Sequence, residues 1–462
     1  INYLMAAGIN FAGEYQLKEL LVYTSSGNVL NLTKAVQNIE IFEDMFSTAL
    51  SGTLLILDVD NIGENGPVIG QEYMTLKITT PSLDDQEIDI TNSSFAIYKV
   101  SVRESISQDT QLLALSFISP ELLKDKRVRV SKSFTNPIDK IVESILTDER
   151  YINTNKNIYI EPTAGIRKVI SPNLHPYAFI NNLTQEAVTS KSASPYFFFF
   201  ENLKGIHFKS LDRILAEASI GTFNVGNLTN LENKSVNTEK DLNRALDFQI
   251  NSNNDMLLNI QGGMLGSSII KYNIYNKSYE KLRYNYFTDF EKFDRIDENP
   301  LYNTNEIDEF GNTIGSFGDA RIHLHPINAS GDLDTSQTNP TSSYSYSPNK
   351  LNEAILFRRA KIMELNNAVS VTMKINGNTT IAAGQTMNLT VPVSGRIHEK
   401  ENDEYYSGRY LITKLRHIFD QTDKKHEIIL TASKDSFGKE LPLGKSAVEP
   451  KGSDGQIFNL TY

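Results

Sequence analysis

Two strand-rich stretches near opposite ends of this chain repeat one order of parts, and this restricts the fold more than any other feature. In the first, Gly70-Gln71 leads into Met74-Thr75-Leu76. A long strand from Phe95 to Arg103, a polar turn and an apolar last strand from Leu112 to Ser119 follow. In the second, Gly384-Gln385 leads into Met387-Asn388-Leu389, then a long strand from Tyr410 to His417 and a last strand from Glu427 to Ser433. Met74, Leu76 and Ile78 alternate with Thr75, Lys77 and Thr79, the period of a half-buried strand. The matching letters are few, so duplication and chance agreement both stay open at this point. A duplicated barrel matters because three copies of such a chain would present six near-equivalent barrels, and homo-oligomers satisfy their interfaces by closing rings.

Between these stretches the texture changes. Asn136-Pro137 reads as a helix start, with Asn as N-cap and Pro at the first helical position. Ile138, Ile141, Val142, Ile145 and Leu146 then share one face. Pro176 repeats the signal ahead of Phe179, Ile180 and Leu183. Tyr196 to Phe200, a turn at Asn202–Gly205 and Ile206-His207-Phe208 read as a hairpin, its Phe run a strand buried on both faces. The fold class expected is mainly β with an α+β middle. Residues 1–120 are expected to form a first β domain, a small sandwich or barrel, 121–240 an α+β domain, and 241–366 a strand and aromatic segment. That segment holds a polar insertion at 300–347, without periodicity, and a helix at 349–366 whose inner face is Leu351, Ala354, Ile355, Ile362 and Leu365. A second barrel at 367–437 contains Val371, Met373 and Ile375 ahead of an Asn376-Gly377 hairpin turn, and 438–462 is an extended arm.

Composition narrows the function. The chain has no cysteine, which removes disulfides, thiolate metal sites and Cys nucleophiles. Its 45 basic and 56 acidic residues leave a net charge of −11, unsuited to gripping nucleic acid and suited to a surface that lets DNA pass. No apolar run approaches the roughly 18 residues of a membrane helix, so no membrane insertion is expected. Ile1-Asn2-Tyr3-Leu4-Met5 has no basic region before a long apolar stretch, so no signal peptide is expected.

Several arrangements invite a chemical reading, and each has a plainer one. Asp58-x-Asp60 with Gly63 suggests a calcium loop, but Ile62 and Ile69 stand where an oxygen ligand and the closing Glu belong, so a turn is expected. His323-Leu324-His325 places two imidazoles on one strand face without a nameable third ligand. His175, His207, His398, His417 and His426 read as capping or strand residues. Glu399, Glu401, Asp403 and Glu404 form an acidic hairpin tip that lacks the buried setting a glycosidase pair needs. Gly262-Gly263-Met264-Leu265-Gly266 lacks the Lys of a phosphate cradle. No catalytic residue, cofactor or metal site is therefore expected, and the protein is expected not to be an enzyme.

The chain resembles the central baseplate hub proteins of contractile-tailed bacteriophages of the T-even type. It is also similar to the hub module of type VI secretion spike proteins. The resemblance rests on Ile39-Glu40-Ile41-Phe42-Glu43-Asp44 with Ser51-Gly52-Thr53-Leu54 and Asp58-Val59-Asp60-Asn61 in the first barrel. In the middle it rests on His175 to Leu183 and on Gly205-Ile206-His207-Phe208-Lys209-Ser210-Leu211-Asp212. In the last barrel it rests on Gly377-Asn378, Ala383-Gly384-Gln385, Ser407-Gly408-Arg409-Tyr410-Leu411-Ile412 and Leu415-Arg416-His417. It implies a homotrimer whose paired barrels mimic one tail-tube ring and so join a threefold central spike to a sixfold tube. It further implies a channel that genome DNA crosses without specific binding, contacts to wedge proteins and the end of the tape measure, and a place in the virion baseplate after assembly in the host cytoplasm. The long insertion at 300–347 departs from the family pattern. The alternative is a β-modular carbohydrate-active, peptidoglycan-degrading enzyme or an adhesin.

Overall fold

A single 14-stranded sheet carries both strand-rich stretches in the computed structural model of the chain. The structure describes residues 12–59, 68–81, 87–107, 110–192, 194–225, 243–252, 255–273, 277–292, 294–302, 320–327, 332–333, 346–347, 351–393 and 402–441. In the first unit the neighbours run Gln16–Tyr23, Tyr73–Thr79, Phe95–Ser107, Thr110–Ile118, Ser51–Asp58 and Val36–Asp44. In the second they run Thr222–Val225, Thr386–Thr390, Gly408–Asp420, Lys425–Lys434, Val369–Asn376 and Arg244–Ser252. Its first and last strands pair with each other, in parallel, at Asn224↔Arg244 and Val225↔Ala245, closing a six-stranded barrel. No strand pair closes the first unit among the described residues.

The two strand orders correspond position by position, and two of their irregularities match. The Phe95–Ser107 strand bulges between Ile97 and Lys99, and Gly408–Asp420 bulges between Ile412 and Lys414. Both bulges lie just past the first two pairs, Ala96↔Ile118 and Ile97↔Phe117 in one unit, Leu411↔Ser433 and Ile412↔Ala432 in the other. A second bulge separates Val36 from Asn38 and recurs between Ala245 and Asp247. A bulge adds one residue to one strand and re-aims it, so two in matching places are a signature of duplication that random β-packing does not supply. The first strands differ: Gln16–Tyr23 is antiparallel to its neighbour, whereas Thr222–Val225 is parallel.

Each unit has its own apolar interior. Leu20, Ile39, Leu54, Leu76, Phe95, Leu115 and Phe117 fill the first, and Val371, Met373, Met387, Tyr410, Leu415 and Leu430 lie in the second. Between them, helices Ile138–Thr147 and Pro176–Glu186 pack on a three-stranded sheet built on the Phe197–Asn202 and Gly205–Ser210 hairpin. Phe197–Asn202 is buried throughout: Phe197 and Phe199 enter the helix-backed core, while Phe198 and Phe200 face the core of the second barrel.

Five expectations are corrected. Asn136 is not a cap: it pairs with Arg167 as the last residue of a strand, and Pro137 stands at the N-cap of Ile138–Thr147. Asn376-Gly377 does not turn a hairpin, because Val369–Asn376 pairs with Lys425–Lys434 and Arg244–Ser252 rather than with Thr386–Thr390. Gly377 instead packs on the His426 ring, which a Cβ would meet at 2.3 Å. The insertion at 300–347 is not devoid of regular structure, since Ile322–Ile327 pairs in parallel with Gly266–Asn273. The helix Leu351–Asn367 turns Leu356, Phe357, Ala360, Lys361, Glu364 and Leu365 inward, leaving Ile355 and Ile362 half-buried. The second barrel also reaches beyond 367–437, taking Thr222–Val225 and Arg244–Ser252 from the middle of the chain. Most of the expected C-terminal arm lies outside the described residues.

Candidate assembly site at the junction of the barrels

The two barrels are joined by a direct strand pair. The far half of Gly408–Asp420 runs antiparallel to Val36–Asp44, from Lys414↔Asp44 to Asp420↔Asn38. Its near half, Gly408 to Leu411, pairs with Thr386–Thr390 on that same side, so one long strand serves its own barrel first and the other barrel afterwards. Phe419 at the far end belongs to the first barrel's core, with Tyr15 at 5.2 Å and His426 stacked at 4.1 Å between ring centroids. Lys414 and Arg416 pair with Asp44 and Glu40 across the seam.

Three polar side chains lie buried in this seam. The inward series Ile39, Ile41 of the first barrel ends in Glu43, 2% exposed. Its carboxylate accepts the N–H of Leu203 at 3.1 Å and that of Ala383 at 2.6 Å, so it ties the first barrel to the middle hairpin and to the second barrel. His417 and His426, both fully buried, face each other at 3.0 Å, Nδ1 to Nε2. His417 Nε2 lies 3.8 Å from Glu43. Burial, followed by the proximity of His417, pushes His426 well below the ordinary imidazole range. Burying a carboxylate without partners is costly, and the two backbone donors offset that cost at a fixed geometry. The arrangement holds parts in register, with Glu43, His417 and His426 all buried.

The outer edges of the barrel pair contrast with this seam. Phe95–Ser107 occupies in the first barrel the place of Gly408–Asp420 in the second, yet past Ile97 it is exposed on both faces for most of its length. Tyr98, Val102 and Ile106 are 49%, 41% and 60% exposed. Its pairing with Tyr73–Thr79 is limited to Ala96 and Phe95, so its far half has one open edge among the described residues.

The residues singled out from the sequence are scattered. Asp58 is a buried strand end and Ile69 is exposed, while Asp60, Ile62 and Gly63 lie outside the described residues. His323 contacts the guanidinium of Arg359, and only the backbone of His325 is described. His175 Nδ1 lies 2.9 and 3.0 Å from the carbonyls of Asp125 and Val128, and His207 Nε2 donates to Asn202 Oδ1. Asp403 accepts from the amides of Tyr405 and Tyr406, a local turn, and Glu404 pairs with Lys439. Glu399, Glu401 and His398 lie outside the described residues. Gly263 is the left-handed cap of helix Met256–Gly262, at φ 82°. Among the described residues no three His, Asp or Glu side chains cluster as metal ligands would, and no helix is long and apolar enough to cross a membrane. Sequence reasoning missed the pairing of His417 with His426 and the role of Glu43. The signal was there: all three interrupt inward-facing apolar series.

Two six-stranded units of one strand order on a single chain, one of them closed into a barrel, with an α+β domain between them, make a fold shared with a solved phage tail protein. In particular, the solved tail protein from Neisseria meningitidis MC58 is similar over 91% of this chain and 97% of its own, with a TM-score of 0.51 at 11% identity. The 43 kDa tail protein of prophage MuSo2 from Shewanella oneidensis matches over 90% of this chain and 98% of its own, with a TM-score of 0.48 at 8% identity. An Escherichia coli component of the type VI secretion system matches over 91% and 76%, with a TM-score of 0.43 at 11% identity. No protein-family model and no curated protein matches the sequence. The resemblance read from the residues thus holds as a likeness of fold.

Proposed function

We propose that this chain is a non-enzymatic structural hub of a contractile-tail baseplate, working as a homotrimer. The observation that carries this is the duplication: one chain builds two barrels with the same strand order and the same two bulges. A threefold assembly of such chains has six barrel positions around its axis, which reconciles a threefold spike with a sixfold tube. Its partners are then the central spike on one face and the first tube ring on the other, with wedge proteins and the tape measure end at the periphery. The net charge of −11 per chain suits a channel that DNA crosses without binding. A first barrel within 1–120, a second barrel that draws strands from outside 367–437, and a virion baseplate location after assembly in host cytoplasm belong to the same reading. Light scattering and negative-stain imaging of the purified chain test it. A threefold ring with six lobes is expected, and a monomer both alone and with its cognate spike overturns it.

A further inference from the structure

Resting on that trimeric reading, we infer that the exposed half of Phe95–Ser107 pairs edge to edge with Arg244–Ser252 of a second copy of this chain. That contact repeats between subunits the junction that joins the two barrels within one subunit.

The argument is a transfer of register. Matched ladder pairs and bulges make Val100 the counterpart of Leu415 and Lys99 that of Lys414. The same matching makes Ile39 the counterpart of Phe248 and Ile41 that of Ile250, through their partners Leu54 and Met373, Gly52 and Val371. Within the chain the far half of Gly408–Asp420 lies on Val36–Asp44. Its counterpart, the far half of Phe95–Ser107, has no such strand among the described residues, and an unpaired edge this long invites addition of another strand.

The complementary edge is open as well. Arg244–Ser252 pairs along its length with Val369–Asn376, but on the other side it meets Thr222–Val225 only at Arg244 and Ala245. Beyond Ala245 that edge has no strand partner among the described residues. Leu246 is 42% exposed, and the N–H of Phe248 donates to the adjacent Asp247 carboxylate at 2.9 Å, as an edge amide does.

Copying the pair Leu415↔Glu43 sets Val100 opposite Ser252, and, past the extra bulge between Val100 and Val102, Arg416↔Phe42 sets Val102 opposite Asn251. The occupant is a second copy and no other protein, because the strand that fits each edge is already present, in kind, on the same chain. Intrachain and interchain junctions then alternate, and three chains close the ring. The ion pairs of the inner seam are not reproduced: Val102 stands where Arg416 does, and Gln249 where Glu40 does. The outer seam is therefore the less charged of the two.

The absence of cysteine makes the test clean. Val102→Cys is combined in turn with Ile250→Cys, Asn251→Cys and Ser252→Cys in the full chain and oxidised. Covalent dimers and trimers are expected from the Asn251 pairing, with weaker yields one residue away. A second variant, Val102→Lys with Ile106→Lys, changes only exposed side chains and is expected to weaken trimerisation at least tenfold at unchanged thermal midpoint. A trimer by light scattering with no cross-link from any of the three pairs, or one indifferent to the two lysines, overturns the edge pairing and leaves the hub reading standing. A chain that never associates overturns both.

Discussion

His417 and His426 share one hydrogen bond, 3.0 Å from Nδ1 to Nε2, at the point where the second barrel meets the first. A hydrogen bond between two imidazoles needs one ring to donate and the other to accept, so a proton on the acceptor destroys it. Burial in the first place, and His417 in the second, hold His426 well below its ordinary range.

The unfolded chain therefore takes up a proton near pH 6.5 that the folded chain refuses. The stability this provides is full above about pH 6.5 and is lost as pH falls below it, at up to about 1.4 kcal/mol per pH unit for one group. His207, pushed down to about 3 by burial and by Lys209 and Lys204, acts with the same sign between about pH 6.5 and 3. Urea midpoints measured from pH 7.5 to 5 are expected to fall with acidification, and to fall less steeply in His426→Gln. Equal slopes in the two proteins would refute the assignment.

Glu43 holds three parts of the chain with one carboxylate, accepting from Leu203 and Ala383. Glu43→Gln turns one acceptor oxygen into a donor that faces an N–H, leaving one buried amide unsatisfied. A loss of about 1–3 kcal/mol in chemical denaturation is expected. Amide exchange at Leu203 and Ala383 should accelerate more than exchange in the first barrel's own ladder, which separates a loosened junction from general destabilisation.

The inward charges of the helix Leu351–Asn367 make a further case. Lys361 pairs with Asp435 and Glu364, and Arg295 reaches Glu364. Burial opposes the charge on Asp435, but Lys361 and Arg295 outweigh it and hold the carboxyl below the usual range. Asp435→Asn leaves the Lys361 ammonium short of a counter-charge in a buried site, and a loss of about 3–5 kcal/mol is expected. Adding Lys361→Met should recover part of it, which differential scanning calorimetry can read.

Much of this architecture was legible because half-buried strands write their period into the chain. Met74, Leu76 and Ile78 are all buried as their period implies, although Thr75 and Thr79 on the other face are buried too, and the Phe run is the doubly covered strand its composition suggests. What stayed hidden depends on contacts far apart in the chain. Nothing local marks Thr222–Val225 and Arg244–Ser252 as barrel strands, since apart from the short pairing between them their partners lie more than a hundred residues on. Lys361 and Glu364 were not among the expected inner-face residues, and it is the opposing Asp435 and Arg295 that make their burial possible. The repeat was read in register at Met74-Thr75-Leu76 and Met387-Asn388-Leu389 but one residue out at its Gly-Gln start. Gly70-Gln71 and Gly384-Gln385 look alike, but Gln385 Oε1 accepts the Ala382 amide as Glu72 Oε1 accepts that of Ile69. Glu72 and Gln385 also offer their carbonyls to the matched amides of Ile97 and Ile412, so Glu72 is the true counterpart of Gln385. The same hydrogen bond can be made by different letters, and this is why so ordered a duplication shows so little identity.

That divergence can be tested where the two barrels solve one packing problem in opposite ways. In the first, Gly52 faces Phe117; at the matched place in the second, Val371 faces Ala432. Total volume across the pair is roughly kept, with the bulk moved from one strand to the other. A Cβ on Gly52 would meet the Phe117 ring at 2.2 Å and the Glu40 carbonyl at 2.3 Å. Gly52→Val alone should therefore destabilise through overpacking by at least about 1–3 kcal/mol, and Phe117→Ala alone through a cavity by about 3–5 kcal/mol. Combined, they reproduce the second barrel's pair, and the double variant should be more stable than the sum of the single losses by about 0.5–3 kcal/mol. Recovery should stay incomplete, because the Glu40 carbonyl is backbone and must shift to admit the new side chain. Urea unfolding of the four proteins measures the coupling. Strict additivity would show that the two barrels do not share a packing scheme at this position, whatever their strand order.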